Sequence, residues 1–149
     1  MQSFSVGQIQ EVLFLRLDPG EMLLESLEKF VKDSNLRDGA ILTAVGSLTK
    51  CEFHTVEGDG THPSTNLFLK LSGSIEIISL TGLIVDYEPH LHISVRSNDS
   101  LTGGHLEHGC QVFTMVELSL AVFSSTTLTR IRTPEITGYN YKNLREIVK

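Results

Sequence analysis

Between residues 40 and 123 the chain spells out a succession of segments rich in β-branched, aromatic and leucine residues: "AILTAVGSL", "KCEFHTV", "NLFLKLSG", "SIEIISLTGLIV", "HLHISVRS" and "CQVFTMVELSLAVF". Clusters of glycine, proline, asparagine or aspartate separate them, among them "EGDGTHPS", "YEPH" and "NDSLTGG". Connections this short join antiparallel neighbours, because a parallel pair needs a crossover of about a dozen residues or more. Ahead of them, "IQEVLFLRL" alternates like a further strand, with Leu13, Leu15 and Leu17 on one face and Val12, Phe14 and Arg16 on the other.

Against all this strand there is one clear helix signal, "DPGEMLLESLEKFVKD". Asp18 suits an N-cap, Pro19 the first helical position, and Glu21 the third place of a capping box. Leu23, Leu27, Phe30 and Val31 then line one apolar stripe. The expected fold class is α+β: an antiparallel β-sheet of about six to eight strands with one main helix packed on it. A single helix covers only part of such a sheet, so the uncovered apolar face calls for another layer, and subunit association is a ready source.

With 149 residues, 40% of them hydrophobic and 20% charged, the chain is read as a single domain, residues 1–149, with a core at about 9–140 and a basic tail at 130–149. The N-terminus has no basic leader, and no run approaches the roughly 20 apolar residues a membrane helix needs. The expectation is a soluble, cytoplasmic protein, or a nuclear one in a eukaryote, without membrane partners. Cys51 and Cys110 lack the C-x-x-C spacing of a zinc or redox site and are read as buried free thiols.

The formal charge is −6, and it is unevenly spread. Residues 130–149 hold Arg130, Arg132, Lys142, Arg145 and Lys149 against Glu135 and Glu146, which leaves the first 129 residues at −9. A body that negative repels phosphate, so nucleic acid is not favoured by charge as a partner, and only the tail offers a foothold. A solvated terminal segment is the simpler reading of it.

Three of the six histidines fall in "PHLHISVRSNDSLTGGHL", residues 89–106. His90 and His92 are two apart, so on an extended strand both leave the same face, while Leu91 and Ile93 take the other. Gly103 and Gly104 permit backbone angles closed to other residues, which lets His105 approach the first two. Three neutral imidazoles and one open position describe a zinc site that keeps water or a substrate. Glu76, Asp86, Glu88 and Glu117 are candidate fourth ligands or acceptors behind the ligands. His108 is read as peripheral, and His54 and His62 as surface residues of another hairpin.

In order, "LRLDPGEMLLESL", "GAILTAVGSL", "GSIEIISLTG", "PHLHISV" and "GGHLEHGCQVFTMVEL" resemble the stand-alone prokaryotic members of the PPC family, the domain conserved in plants and prokaryotes. The likeness spans residues 9 to 140. It implies an α+β fold with an antiparallel sheet, a homotrimer and a histidine cluster that can hold zinc, onto which His90, His92 and His105 map. Plant members add AT-hooks that enter the minor groove of A·T-rich DNA. None is present here. Their Gly-Arg-Phe-Glu-Ile-Leu segment is replaced by Gly73-Ser74-Ile75-Glu76-Ile77-Ile78, without the arginine and phenylalanine.

The leading functional reading is a small trimeric ligand-binding or regulatory module with a zinc site. One alternative is a zinc-dependent enzyme of unknown substrate, for which Glu88 and Glu117 are candidate general bases without a motif behind either, so no catalytic residue is assigned. Another is a DNA-associated regulatory protein that uses the basic tail on phosphates. A cupin reading fails, because Arg96-Ser97-Asn98 stands where that motif needs glutamate. Arg16 is read as a surface or interface ion-pair partner, and Tyr139 and Tyr141 as anchors of the tail.

Overall fold

In a computed structural model, residues 3–58, 63–124, 128–132 and 145–148 are described. Strand β1 (Ile9–Leu17) leads into helix α1 (Leu23–Asp33), and then come β2 (Gly39–Gly58), β3 (Pro63–Val85), β4 (Glu88–Ser97), β5 (Ser100–Leu106) and β6 (Gln111–Phe123). These six strands form one antiparallel sheet in the order β1-β6-β2-β3-β4-β5. β7 (Thr129–Arg132) and β8 (Arg145–Val148) make a separate two-stranded sheet inside what composition alone marks as a tail. Among the described residues no helix is long and apolar enough to cross a membrane.

Two strands are longer than the segment pattern suggests. "AILTAVGSL" and "KCEFHTV" are one strand, β2, and "NLFLKLSG" and "SIEIISLTGLIV" are one strand, β3. The polar and glycine residues between them make no reversals; β2 instead carries register shifts, one of them between Leu48 and Lys50, which bend a strand without ending it. A bent β2 has two partners on the same edge. Its first part pairs with β6 as far as Lys50 opposite Gln111, and its later part pairs with β5, Phe53 opposite Leu106 and His54 opposite His105. The ladder β2-β3-β4-β5 thereby closes back on β2.

The helix starts later than its capping pattern predicts. Met22 is the N-cap and makes no side-chain capping bond. Asp18 and Glu21 do meet, the Asp18 N–H donating to Glu21 Oε2 at 2.6 Å and the Glu21 N–H to the Asp18 carbonyl at 3.2 Å. They close a turn before the helix, because Met22 is held in an extended bridge to Gln111. The expected apolar stripe is real: Leu23, Leu24, Leu27 and Val31 are buried against the sheet interior, and Phe30 packs at its edge.

The interior faces of the strands supply the rest of the core, including Leu48, Phe53, Ile75, Leu80, Leu91, Ile93, Val95 and Leu118. Leu17 is buried and Leu13 and Leu15 pack partly against it, whereas Phe14 on the opposite face of β1 is 66% exposed. Cys51 and Cys110 are buried free thiols with sulfurs 3.9 Å apart. The hydrogen bond with the Cys110 thiol, and then burial, push the Cys51 thiol up, which keeps it protonated.

Candidate functional site

Strand β4 alternates strictly, Leu91, Ile93 and Val95 inward and His90, His92 and Ser94 outward. The two histidines accordingly share a face, their rings stacked at 5.6 Å between centroids and 11° between planes. β5 returns antiparallel and sets His105 directly opposite His92. The His105 ring meets His92 at 5.5 Å and His90 at 4.8 Å, edge-on in both cases.

The reversal that brings His105 back is not made by glycine. It lies at Asn98, with φ 53°, in the tight turn between Ser97 and Ser100. Gly103 and Gly104 sit within β5, where close packing requires them: a Cβ on Gly103 would lie 2.1 Å from the Ile93 carbonyl oxygen, and one on Gly104 2.3 Å from that of His54. They let β5 press against its neighbours on both sides.

His54 is no surface residue. The β2–β5 pairing puts it beside His105, ring centroids 4.6 Å apart, with 15% of its side chain exposed. Its Nδ1 lies 2.6 Å from Glu107 Oε1. Glu107, the first residue after β5 ends at Leu106, escapes a reading focused on histidines. His62 falls outside the described residues, as do Tyr139 and Tyr141. His108 points away to an ion pair with Glu28, Nε2 to Oε2 3.0 Å.

Of the candidate carboxylates only Glu88 lines the cleft above the histidines. Glu117 pairs with Arg16 at 3.0 Å, Asp86 with Arg37 at 2.9 Å, and Glu76 lies exposed on β3 opposite Arg96. The cleft has a volume of about 680 Å³ and is walled by His54, His90, His92, His105, Glu88 and Arg130, with Val56 and Pro89 among its apolar parts. Arg130 arrives from β7, its Nη1 3.3 Å from His90 Nδ1.

Two sets of side chains here are spaced to hold a metal ion: His90, His92 and His105, and His54, His105 and Glu107, with ligand atoms in each set within 4.8 Å of one another. In a tetrahedral site with bonds of about 2 Å the ligand nitrogens stand about 3.3 Å apart, so small side-chain rotations close either set. Burial pushes the His105 imidazole down to about 4, with His90 and His54 adding to the effect. His105 is therefore uncharged at neutral pH, the form a metal ion requires.

Residues 4–124 match the family model of the Plants and Prokaryotes Conserved (PCC) domain. The bifunctional protein GlmU of Synechococcus sp. strain JA-2-3B'a(2-13) is 35% identical over 126 residues, 84% of this chain but 19% of GlmU, so the chain spans about a fifth of that relative's length. A plant- and prokaryote-conserved protein of Pyrococcus horikoshii superposes with a TM-score of 0.75 at 25% identity, over 89% of this chain and 92% of that one. A metal-containing protein of Archaeoglobus fulgidus gives the same TM-score at 22% identity, over 87% and 91% of the two chains, which shows a shared fold. By the match over residues 4–124 and by its one-helix antiparallel fold, the chain belongs to the Plants and Prokaryotes Conserved (PCC) domain family.

Proposed function

We propose that this PCC domain is a ligand-binding module built on a zinc ion held by His90, His92 and His105, and that it works as a cytoplasmic homotrimer folded as one domain. The observation that carries the reading is the convergence of three imidazoles, two from β4 and one from β5, with ligand atoms within 4.8 Å at the floor of an open cleft. This triad is favoured over the one with Glu107 because all three of its members are neutral-ligand imidazoles, whereas Glu107 already occupies His54 in a short contact. His54 and Glu107 then stand behind His105 and fix the packing of its ring. A zinc ion so held supplies a Lewis-acidic position open to a ligand from the cleft.

The test is metal analysis of protein purified without nickel affinity, on the wild type, His92→Ala and His108→Ala. About one zinc per chain in the wild type and the His108 variant, with loss in the His92 variant, supports the site. Equal traces in all three reject it.

A DNA-associated role rests on the five bases of residues 130–149. One of them, Arg130, is turned into the histidine cleft, which takes it from the phosphate-facing set. The binding-module reading is preferred for that reason.

A further inference from the structure

We infer that His105 serves two metal positions: the one it shares with His90 and His92, and a second, held by His54, His105 and Glu107, on the β2 side of its ring. The inference rests on the three-histidine reading for the first ion and adds a second ion of the same class, a divalent transition metal.

The topology sets a row of rings across three neighbouring strands. β5 lies between β4 and the later part of β2, and its His105 is in register with His92 on one side and with His54 on the other. The His105 ring is flanked accordingly, at 5.5 Å by His92 and at 4.6 Å by His54. An imidazole has two ring nitrogens, and either can hold an ion. Among the described residues, burial and neighbouring charges act on the His105 ring, and no hydrogen bond does.

Glu107 supplies an anionic donor, and its main chain is fixed on both sides. Its N–H donates to the Glu52 carbonyl at 3.0 Å, and its own carbonyl accepts from Cys110 Sγ at 3.5 Å. Its Oε1 meets His54 Nδ1 at 2.6 Å, and the His54 ring packs on Phe68 at 5.2 Å. A carboxylate that backs a metal-bound histidine accepts that ligand's own N–H. Glu107 pairs instead with His54, which the three-histidine site does not use. The ligand atoms of His54, His105 and Glu107 lie within 4.8 Å of one another, and two imidazoles with a carboxylate make a zinc-binding set of their own.

A short imidazole–carboxylate contact holds a proton, and the second ion takes that proton's place. The proton moves to His54 Nε2, Nδ1 becomes the ligand, and the contact widens by under about 1 Å to reach tetrahedral spacing. With both positions filled, His105 bridges as an imidazolate and its ring proton leaves to water. The negative charges of Glu107 and the imidazolate offset the repulsion between the two cations. Because the His54–Glu107 contact must open first, the second ion is the weaker of the two and is lost on dialysis against metal-free buffer. His54 and His105 line the open cleft, which gives the ion its way in.

The experiment is equilibrium zinc binding to the full chain, first stripped of metal, for the wild type, Glu107→Gln, His54→Gln, His92→Ala and His108→Ala. Melting temperatures of the metal-free proteins check that each variant folds. The expected result is about two zinc ions per chain in the wild type and His108→Ala, one tight and one weak. Glu107→Gln and His54→Gln keep only the tight ion, and His92→Ala keeps only the weak one. A single zinc that is kept in Glu107→Gln and lost in His92→Ala overturns the second position and leaves the first standing, as do two zinc ions in both Glu107→Gln and His54→Gln. A single zinc that is kept in His92→Ala and lost in Glu107→Gln does the reverse. No zinc in the wild type overturns both.

Discussion

Gly104 has no room for a side chain: a methyl group there would meet the His54 carbonyl oxygen at 2.3 Å, with the Phe53 ring 3.1 Å away. The constraint comes from backbone on the neighbouring strand, which cannot rotate aside. Gly104→Ala is therefore expected to lift β5 from β2, costing about 1–3 kcal/mol of stability in urea unfolding. Because His105 is the next residue, zinc affinity should fall by about tenfold or more in competition with a chelator, the loss typical when the support of a ligand is disturbed. Unchanged affinity would show that β5 packing does not position His105. The pairing of His90 with His92 was readable from their spacing, since strand periodicity alone places them together. The reason for the two glycines was not, because close approach between strands distant in sequence leaves the same glycine signal as a turn.

At the scale of elements, α1 is tied to the turn at residues 107–110 that joins β5 to β6. The Leu23 N–H donates to the Cys110 carbonyl at 2.8 Å, the Gly109 N–H to Glu25 Oε1 at 2.9 Å, and His108 pairs with Glu28 at 3.0 Å. The hydrogen bond that His108 donates to the Glu28 carboxylate raises its imidazole above the ordinary 6.5. A raised value means that the folded state binds the proton more tightly than the unfolded chain does. The pair's contribution is therefore full below pH about 6.5 and is lost as pH rises through the folded value. With 58% of the His108 side chain exposed, solvent screens the effect. Glu28→Gln should flatten this part of the melting-temperature profile between pH 5 and 8, and a profile as steep as the wild type's would assign the slope to another group. Removing packing from the same helix acts more strongly. Leu27, 2% exposed within the core, should cost about 2–5 kcal/mol on truncation to alanine, read by urea unfolding.

The helix and most strands were legible because each is a local pattern: a 3.6-residue apolar stripe or a two-residue alternation. The length of β2 and β3 was not, since a bulge and a turn draw on similar residues and only pairing partners tell them apart. His54 was missed for the same reason. Its place beside His105 depends on β2 exchanging β6 for β5 along one edge, a register set by contacts some fifty residues apart in sequence.

At the scale of the whole molecule, one helix leaves much of a six-stranded sheet uncovered. Val12 and Phe14 on β1 are 57% and 66% exposed, and Leu42 and Val45 on β2 are 51% and 54% exposed. Leu13, Leu15 and Leu17 have taken the inner face of β1, so these side chains lie outside the core the chain builds for itself. Apolar side chains gathered on a sheet face in this way favour association, and the proposed trimer gives them a partner. Replacing Phe14 with glutamate puts charge on that face without touching the core or the histidines. The expected outcome is a native mass that falls from three chains to one, with the circular-dichroism spectrum retained and zinc still bound. The separation of these readouts makes the test decisive, because unfolding would erase the spectrum along with the assembly. A wild type that already runs as a single chain at micromolar concentration would reject the trimer and leave the apolar face to a different partner.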